Sequence, residues 1–386
     1  MRKARWLHIA WMLALSTCGD DGAAGGTDGT ASSTGTSSGG ATATTQAATT
    51  GGVETSAGSG TGTGSASSTA STSGTSGTTG ADAGGTPALS CFDDPPEGAE
   101  MPPPLPSYQG TCPPIVPGKN TIDSSGTPRE FIFVAPSDWQ PGEALPVIFL
   151  WHWLGGDANG FLEQGDVQLA ADLYRFFAVI PEKKGDLAFV WPYSAVDGDA
   201  RMEEEARFFD DMLACVAEQY EVRPACISSV GVSAGALWTG QLASLRGQYL
   251  ASFLSLSGGT GGPFVKPWMG SPHKMPALVL WGGPDDTCIV INFQDTSLDL
   301  EQHLTDEGHA VVECIHNCGH GVPPIEVEGA PTPFAMLWEF VLDHPYFLPD
   351  GETPYSAGLP PNMPGFCAVG MGNAVPREGP CDPPGC

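Results

Sequence analysis

The segment Gly231-Val-Ser-Ala-Gly235 has the residue types and the spacing of a serine nucleophile motif. Its serine follows an apolar run, residues 228–232, that predicts a strand, and it precedes a stretch, 234–245, that predicts a helix. A serine at such a strand–turn–helix junction projects its hydroxyl above the sheet, where the first N–H groups of the helix can stabilise an oxyanion. The same pattern at 35–39 lies among small polar residues and lacks this setting. We therefore predict that Ser233 is a nucleophile.

The candidate acids follow a second apolar run, 277–281, which opens into Gly-Gly-Pro-Asp285-Asp286. In sites of this type the acid and then the base follow the serine along the chain. Either carboxylate could face an imidazole from the end of this strand. Asp286 is the preferred acid and Asp285 is the alternative.

The candidate base lies in the loop after the apolar run 310–315. His320 stands between two glycines, where its ring can reach the serine, and His316 is the alternative, which we expect to be packed or hydrogen-bonded locally. The chain order Ser233, Asp286, His320 predicts acyl transfer, in which the imidazole takes the serine proton and the carboxylate holds the imidazole tautomer.

The loop after the apolar run 145–151 begins His152-Trp153-Leu154-Gly-Gly. A backbone N–H near Trp153 or Leu154 would form an oxyanion hole together with that of Ala234. We expect His152 to be a structural loop residue with no part in proton transfer.

Aromatic residues near predicted strand ends are candidates for substrate binding. Trp191 and Tyr193 are predicted to line a cleft, whereas Trp151 is expected in the core. Such rings would suit a polyester, an aromatic acyl group or a sugar.

Short apolar runs alternate with amphipathic stretches of helical length between residues 90 and 348. This alternation predicts one α/β catalytic domain, with a mostly parallel sheet covered by helices on both faces. The predicted strands are 130–134, 145–151, 177–181, 188–191, 228–232, 252–257, 277–281 and 310–315. The predicted helices are 203–220, 234–245, 293–305 and 333–342.

The N-terminal residues are not expected to belong to this domain. Residues 1–18 combine a positive start with a short apolar run, and Leu15-Ser-Thr-Cys18 resembles a bacterial lipobox, in which Cys18 is lipidated. An ordinary secretory signal is the alternative. The chain is therefore expected to be a lipoprotein of the cell envelope or surface, or a secreted protein, with membrane contact only through the lipid.

Low-complexity segments flank the predicted domain. Residues 19–89 predict a disordered linker, because 61 of the 68 residues from 21 to 88 are Gly, Thr, Ala or Ser and cannot form a core. Residues 349–386 are rich in Pro, Gly and Cys, and they predict an irregular extension stapled by disulfides.

The formal net charge of the chain is −29, from 15 basic and 44 acidic residues. This balance argues against a nucleic-acid partner, which requires a basic surface, and against polyanionic substrates.

The chain has 11 cysteines, and lipidation of Cys18 would leave an even number for disulfides. A bridge between Cys288 and Cys318 would tie the loop of the predicted acid to the loop of the predicted base, and Cys314 is the other candidate partner of Cys288. The pairs favoured by closeness in the sequence are Cys91–Cys112 and Cys215–Cys226.

The spacing of Cys314, His316, Cys318 and His320 raises the possibility of a zinc site. Alternate residues of an extended strand lie in a line, which fits a tetrahedron poorly, and an exported protein favours disulfides. No metal and no cofactor are expected.

The series H-x-x-G-G, G-V-S-A-G, G-P-D-D-T and C-G-H-G resembles the polyhydroxybutyrate depolymerase and feruloyl esterase group of extracellular α/β-hydrolases. The resemblance extends over residues 128–345. It implies the α/β-hydrolase fold and a carboxylic ester hydrolase that uses Ser233, Asp286 and His320 on ester substrates, polymeric esters included. Trp153 stands where the family commonly has glycine.

Two other functions fit the same residues. One is a serine peptidase or another acyl hydrolase with the same triad, and the other is an inactive surface-binding protein on the hydrolase scaffold. A monomer is expected in each case.

Overall fold

The computed structural model describes residues 89–381. The predicted signal segment 1–18, its lipidation site Cys18 and nearly all of the predicted linker 19–89 lie outside the described residues. Within the described part of the chain, no helix combines the length and the apolar character needed to cross a bilayer.

The described residues contain eleven strands and six α-helices. In chain order these are β1 (Gly118–Ser124), β2 (Thr127–Val134), β3 (Leu145–Trp151), α1 (Ala158–Gln164), α2 (Val167–Tyr174), β4 (Phe177–Pro181), α3 (Asp199–Gln219), β5 (Val222–Val232), α4 (Ala234–Arg246), β6 (Ser252–Leu256), β7 (Ala277–Trp281), β8 (Thr287–Cys288), β9 (Ile291–Asn292), α5 (Phe293–Glu307), β10 (Val311–Ile315), α6 (Ala335–Leu342) and β11 (Cys367–Val369).

Nine strands form one sheet in the order β1-β2-β4-β3-β5-β6-β7-β10-β11. The six neighbouring strands from β4 to β10 pair in parallel, and β1, β2 and β11 add antiparallel pairs at the two sides. Because parallel strands end at the same edge of a sheet, the loops after β3, β5, β6, β7 and β10 meet at one edge.

The sheet is packed on both faces. Alternate residues of β3 belong to two separate clusters of buried side chains: Phe149 lies with residues of α3, α4 and α5, and Leu150 lies with residues of α1, α2 and α6. All seven residues of β3 are buried, as expected for a central strand covered on both sides. The predicted α/β architecture is confirmed.

The apolar runs located the central strands well. The predicted strands 145–151, 177–181 and 277–281 coincide with β3, β4 and β7. The predicted strand 188–191 is wrong, because these residues form turns and bends, and Val190 has a φ of 71° that a strand does not accommodate. The apolar character of this segment reflects burial of the loop, in which Trp191 is fully enclosed.

Six elements have no counterpart in the prediction, namely β1, β8, β9, β11, α1 and α2. β1 has the polar sequence GKNTIDS, and only alternate residues are buried, since it lies at the edge of the sheet. β11 belongs to the C-terminal extension and pairs with β10, so that extension contributes a strand.

Between pairs of described residues, four disulfides join cysteines that are far apart in the sequence: Cys91–Cys226, Cys112–Cys215, Cys314–Cys367 and Cys318–Cys381. The predicted pairs Cys91–Cys112 and Cys215–Cys226 are therefore wrong. Cys215 packs with the cluster on one face of the sheet and Cys226 with the cluster on the other, so closeness in the sequence does not bring the two thiols together.

A buried acid on α5, Glu301, is expected to make the stability of the fold depend on pH. Glu301 is fully buried, and Trp281 Nε1 lies 3.4 Å from its Oε1. Burial and the negative charge of Glu313 raise the pKa of Glu301 from the ordinary 4.5 to about 9. The folded state therefore holds a proton that the unfolded chain loses, and the free energy of unfolding falls as the pH rises from 4.5 towards 9.

We expect Glu301→Gln to remove this pH dependence, since the amide stays neutral. Its melting temperature should exceed that of the wild type by roughly 3–6 °C at pH 8 and by little at pH 4, where both states of the wild type are largely protonated. Thermal melts of both proteins across this pH range provide the measurement. A difference in melting temperature that does not change with pH would contradict the prediction.

Candidate active site

Ser233 occupies the tight turn between β5 and α4. Its φ of 53° and ψ of −117° are strained for a residue with a side chain. Its N–H donates to Leu256 O of β6 at 2.9 Å, and its carbonyl accepts the N–H of Ala236 of α4 at 2.9 Å. Contacts with β6 and α4 therefore hold the turn in place. Strain that the surrounding structure maintains in this way is typical of functional positions.

The two glycines of the motif are required by close packing around this turn. A Cβ on Gly231 would lie 2.1 Å from Gly235 O, and a Cβ on Gly235 would lie 2.0 Å from Trp151 O. Both distances are far below van der Waals contact. The glycines therefore allow α4 to begin directly against the ends of β5 and β3.

The structure brings together the serine, the histidine and the aspartate that the sequence predicts. Ser233 Oγ lies 2.8 Å from His320 Nε2, and His320 Nδ1 lies 2.7 Å from Asp286 Oδ1. The Asp286 side chain is fully buried and that of His320 is 7% exposed. This chain of hydrogen bonds can move a proton from the hydroxyl to an imidazole whose other nitrogen faces a carboxylate.

The two alternative residues lie apart from this chain of hydrogen bonds. Asp285 is exposed to solvent. His316 is fully buried, its Nδ1 accepts the N–H of Cys318, and burial lowers the pKa of His316 to about 4. His316 is therefore a neutral, packed residue, as expected for the alternative base.

Other residues fix the acid and the base from behind. Asp286 Oδ2 accepts two hydrogen bonds, from Ser257 Oγ at 2.9 Å and from Gly282 N at 2.7 Å. The ring of Phe293 stacks on the imidazole of His320, with centroids 4.2 Å apart and planes 20° apart. These supports were not predicted from the sequence, in which the available signal was the position of Ser257 at the end of a strand next to β7.

The loop that starts at His152 passes directly over the first turn of α4, since Trp151 O and His152 O surround Gly235. His152 is fully buried, and its Nδ1 lies 3.0 Å from Trp153 O. Burial lowers the pKa of His152, which agrees with a structural role. Trp153 and Leu154, the predicted oxyanion donors, follow in this loop and are both partly buried.

The prediction that Trp191 and Tyr193 line a cleft is wrong. Trp191 is fully buried and its Nε1 donates to His152 O at 2.8 Å, so this residue supports the loop over α4. Tyr193 is 3% exposed, and burial raises its pKa above the ordinary value. Both side chains belong to the core beneath the site.

The loop that carries His320 is attached to the C-terminal extension. Cys318 is bonded to Cys381, and Arg377 Nη1 donates to Asn317 Oδ1 at 2.7 Å. The predicted bridge between Cys288 and Cys318 is therefore wrong, although Cys288 is disulfide-bonded as well.

The other predicted partner of Cys288 is also excluded, because Cys314 is bonded to Cys367 on β11. Antiparallel pairing of β10 with β11 places these two thiols side by side. The zinc hypothesis loses two of its four ligands in the same way, since the sulfurs of Cys314 and Cys318 are both in disulfides.

Solved structures of low sequence identity share this fold. Native sOPH matches with a TM-score of 0.56 over 70% of this chain and 99% of its own, at 16% identity. Native pOPH matches with a TM-score of 0.54 over 67% and 97%, at 17% identity. A pOPH variant in complex with pNPB matches with a TM-score of 0.54 over 68% and 97%, at 17% identity. No family model and no curated protein matches the sequence. The chain has the α/β-hydrolase fold.

Proposed function

We propose that this chain is a serine esterase, a hydrolase of carboxylic esters in which Ser233, His320 and Asp286 form the catalytic triad. The observation that carries the proposal is the unbroken series of hydrogen bonds from Ser233 Oγ through His320 to Asp286, starting at a strained turn before a helix. Such an arrangement makes a serine hydroxyl nucleophilic.

In this mechanism, Ser233 Oγ attacks the carbonyl carbon of the ester while His320 Nε2 takes its proton. The tetrahedral intermediate collapses when His320 returns the proton to the leaving alcohol, and an acyl-serine remains. Water then attacks the acyl group with His320 again as base, which releases the acid and restores the serine. Asp286 keeps the Nδ1 proton of His320 in place throughout and stabilises the imidazolium.

The oxyanion of the intermediate is assigned to the N–H of Ala234 and to an N–H of Trp153 or Leu154. Ala234 is the first residue of α4, and the first N–H groups of a helix have no acceptor within the helix. The loop of Trp153 and Leu154 lies against the same helical turn through the contact at Gly235. Each such donor contributes about 10²–10³ in rate.

We infer the substrate class from exposed apolar side chains that lie close to Asp286 and His320 in the chain. The β8–β9 hairpin, which begins one residue after Asp286, presents Ile289 and Val290 at its tip, 51% and 50% exposed. Val322, two residues after His320, is 69% exposed. Exposed apolar side chains on both loops, together with the net charge of −29, favour a neutral, apolar ester.

We infer two groups of such esters, polyhydroxybutyrate-type polyesters and feruloyl or acetyl esters of polysaccharides. The complex of the pOPH variant with pNPB offers a small ester as a first substrate to test. A chain exported as a lipoprotein through Cys18, or secreted, would meet such polymers outside the cell. The disulfides of the described residues are compatible with this location.

A panel of substrates tests the proposal. We expect the purified chain to hydrolyse p-nitrophenyl butyrate and to release soluble products from a polyhydroxybutyrate film, from a feruloylated polysaccharide, or from both. Release from only one polymer would assign the substrate. Turnover of a peptide amide without turnover of any ester would contradict this proposal and would identify the chain as a peptidase.

A further inference from the structure

We propose that Ser257 is a positioning residue of the esterase. It holds Oδ2 of Asp286 so that Oδ1 of the same carboxylate faces His320 Nδ1. This inference rests on the proposed function. An ionised carboxylate only accepts hydrogen bonds, so the 2.9 Å contact between Ser257 Oγ and Asp286 Oδ2 has the hydroxyl as donor. Gly282 N is the second donor to the same oxygen, at 2.7 Å.

The backbone of Ser257 has a strained conformation, and this conformation brings the hydroxyl to Asp286. The φ of Ser257 is 49°, a left-handed value that is unfavourable for a residue with a side chain, and the next residue is a glycine that could adopt this value more easily. The strained turn directs the side chain of Ser257 at Asp286, and Ser257 itself is 8% exposed.

The turn is locked from both sides. Ser257 N donates to Leu280 O at 2.6 Å, which ties the end of β6 to the end of β7. Gly258 O accepts Thr296 Oγ1 at 2.6 Å, and a Cβ on Gly259 would lie 2.1 Å from the carbonyl of Thr296. The turn from Ser257 to Gly259 therefore has little freedom to move relative to α5.

The same helix fixes the base. α5 begins with Phe293, whose ring stacks on His320 and whose N–H donates to Asp286 O at 2.7 Å. The Ser257 turn thus contacts the acid through its hydroxyl and contacts, through its backbone, the helix that carries the stacking ring. The one turn from Ser257 to Gly259 therefore helps to position both Asp286 and His320, the two partners of the hydrogen bond.

Loss of the hydroxyl should affect the chemical step more than binding. Without it, Asp286 Oδ2 keeps one donor, so the carboxylate can rotate away from His320 Nδ1. We expect a fall in kcat of about tenfold, with KM changed by less than about twofold, because Ser257 lies behind the triad and away from substrate. The second-order rate of labelling by a fluorophosphonate should fall by the same factor, since that reaction also needs an activated Ser233.

Two substitutions separate positioning from a purely structural role. Ser257→Ala loses the hydroxyl and keeps the strain, whereas Ser257→Gly loses the hydroxyl and relieves the strain. We expect equal losses of kcat in both, although the glycine variant should melt at the higher temperature. Ser252→Ala is the matched control, because Ser252 is a fully buried serine at the opposite end of β6 and bonds Ser228 Oγ at 2.9 Å.

The outcomes decide between the proposals. If kcat of both Ser257 variants stays within about twofold of the wild type, or if the glycine variant recovers activity along with stability, Ser257 has no positioning role. If the wild type itself neither hydrolyses esters nor reacts with the fluorophosphonate, the proposed function fails instead. Equal losses in the two variants, with Ser252→Ala unchanged, support the inference.

Discussion

Replacing Ser233 by alanine is expected to lower kcat for p-nitrophenyl butyrate by about 10⁵-fold, the effect of removing a nucleophile from an enzyme of this type. The hydroxyl accounts for the first bond formed with the substrate, and no side chain that the structure shows within hydrogen-bonding distance of His320 Nε2 can replace it. Initial rates of the purified variant, measured at high enzyme concentration, test this expectation.

The fold should survive this substitution, because alanine is smaller than serine and the hydrogen bond that it loses is the one to His320 Nε2. A melting temperature near that of the wild type would confirm it. Ser252→Ala again serves as the control for the loss of a buried serine hydroxyl and should retain full activity. Residual activity of Ser233→Ala above about a hundredth of the wild-type rate would place the nucleophile elsewhere.

Asp286→Asn is expected to lower kcat by about 10⁴-fold with little change in KM. The amide preserves the shape of the side chain, but it no longer fixes the proton on His320 Nδ1 or stabilises the imidazolium. The fully buried position of Asp286 excludes water as a substitute partner. The measurement is a steady-state comparison with wild type, with both proteins checked by their circular dichroism spectra.

The neighbouring acid provides the matched control for this experiment. Asp285 precedes Asp286 directly, has the same charge and is exposed. Asp285→Asn should therefore leave kcat within about twofold of the wild type. A large loss in Asp285→Asn together with a small loss in Asp286→Asn would reverse the assignment of the acid.

Much of the site could be predicted because each member belongs to a local pattern. Ser233, Asp286 and His320 each follow an apolar strand, and parallel strands bring their ends to one edge. The choice between Asp285 and Asp286 depends on which carboxylate turns inward, which spacing alone does not decide. Ser257 and Phe293 were missed because their roles depend on contacts between separate elements.

The errors have a common physical cause. The disulfide pairs were predicted from closeness in the sequence, yet Cys215 and Cys226 pack on opposite faces of the sheet. Trp191 was predicted in a cleft from its place near an apolar run, but its indole donates to His152 O from inside the core and supports the loop that starts there. In each case tertiary packing determines where the side chain lies.

The identity of the nucleophile can be measured directly by labelling with a fluorophosphonate, which reacts with an activated serine and leaves a stable adduct. We expect one adduct per chain by intact mass, located on Ser233 by peptide mass spectrometry, and no adduct on Ser233→Ala. Absence of labelling in the wild type, or an adduct on another serine that persists in Ser233→Ala, would contradict the proposed esterase site.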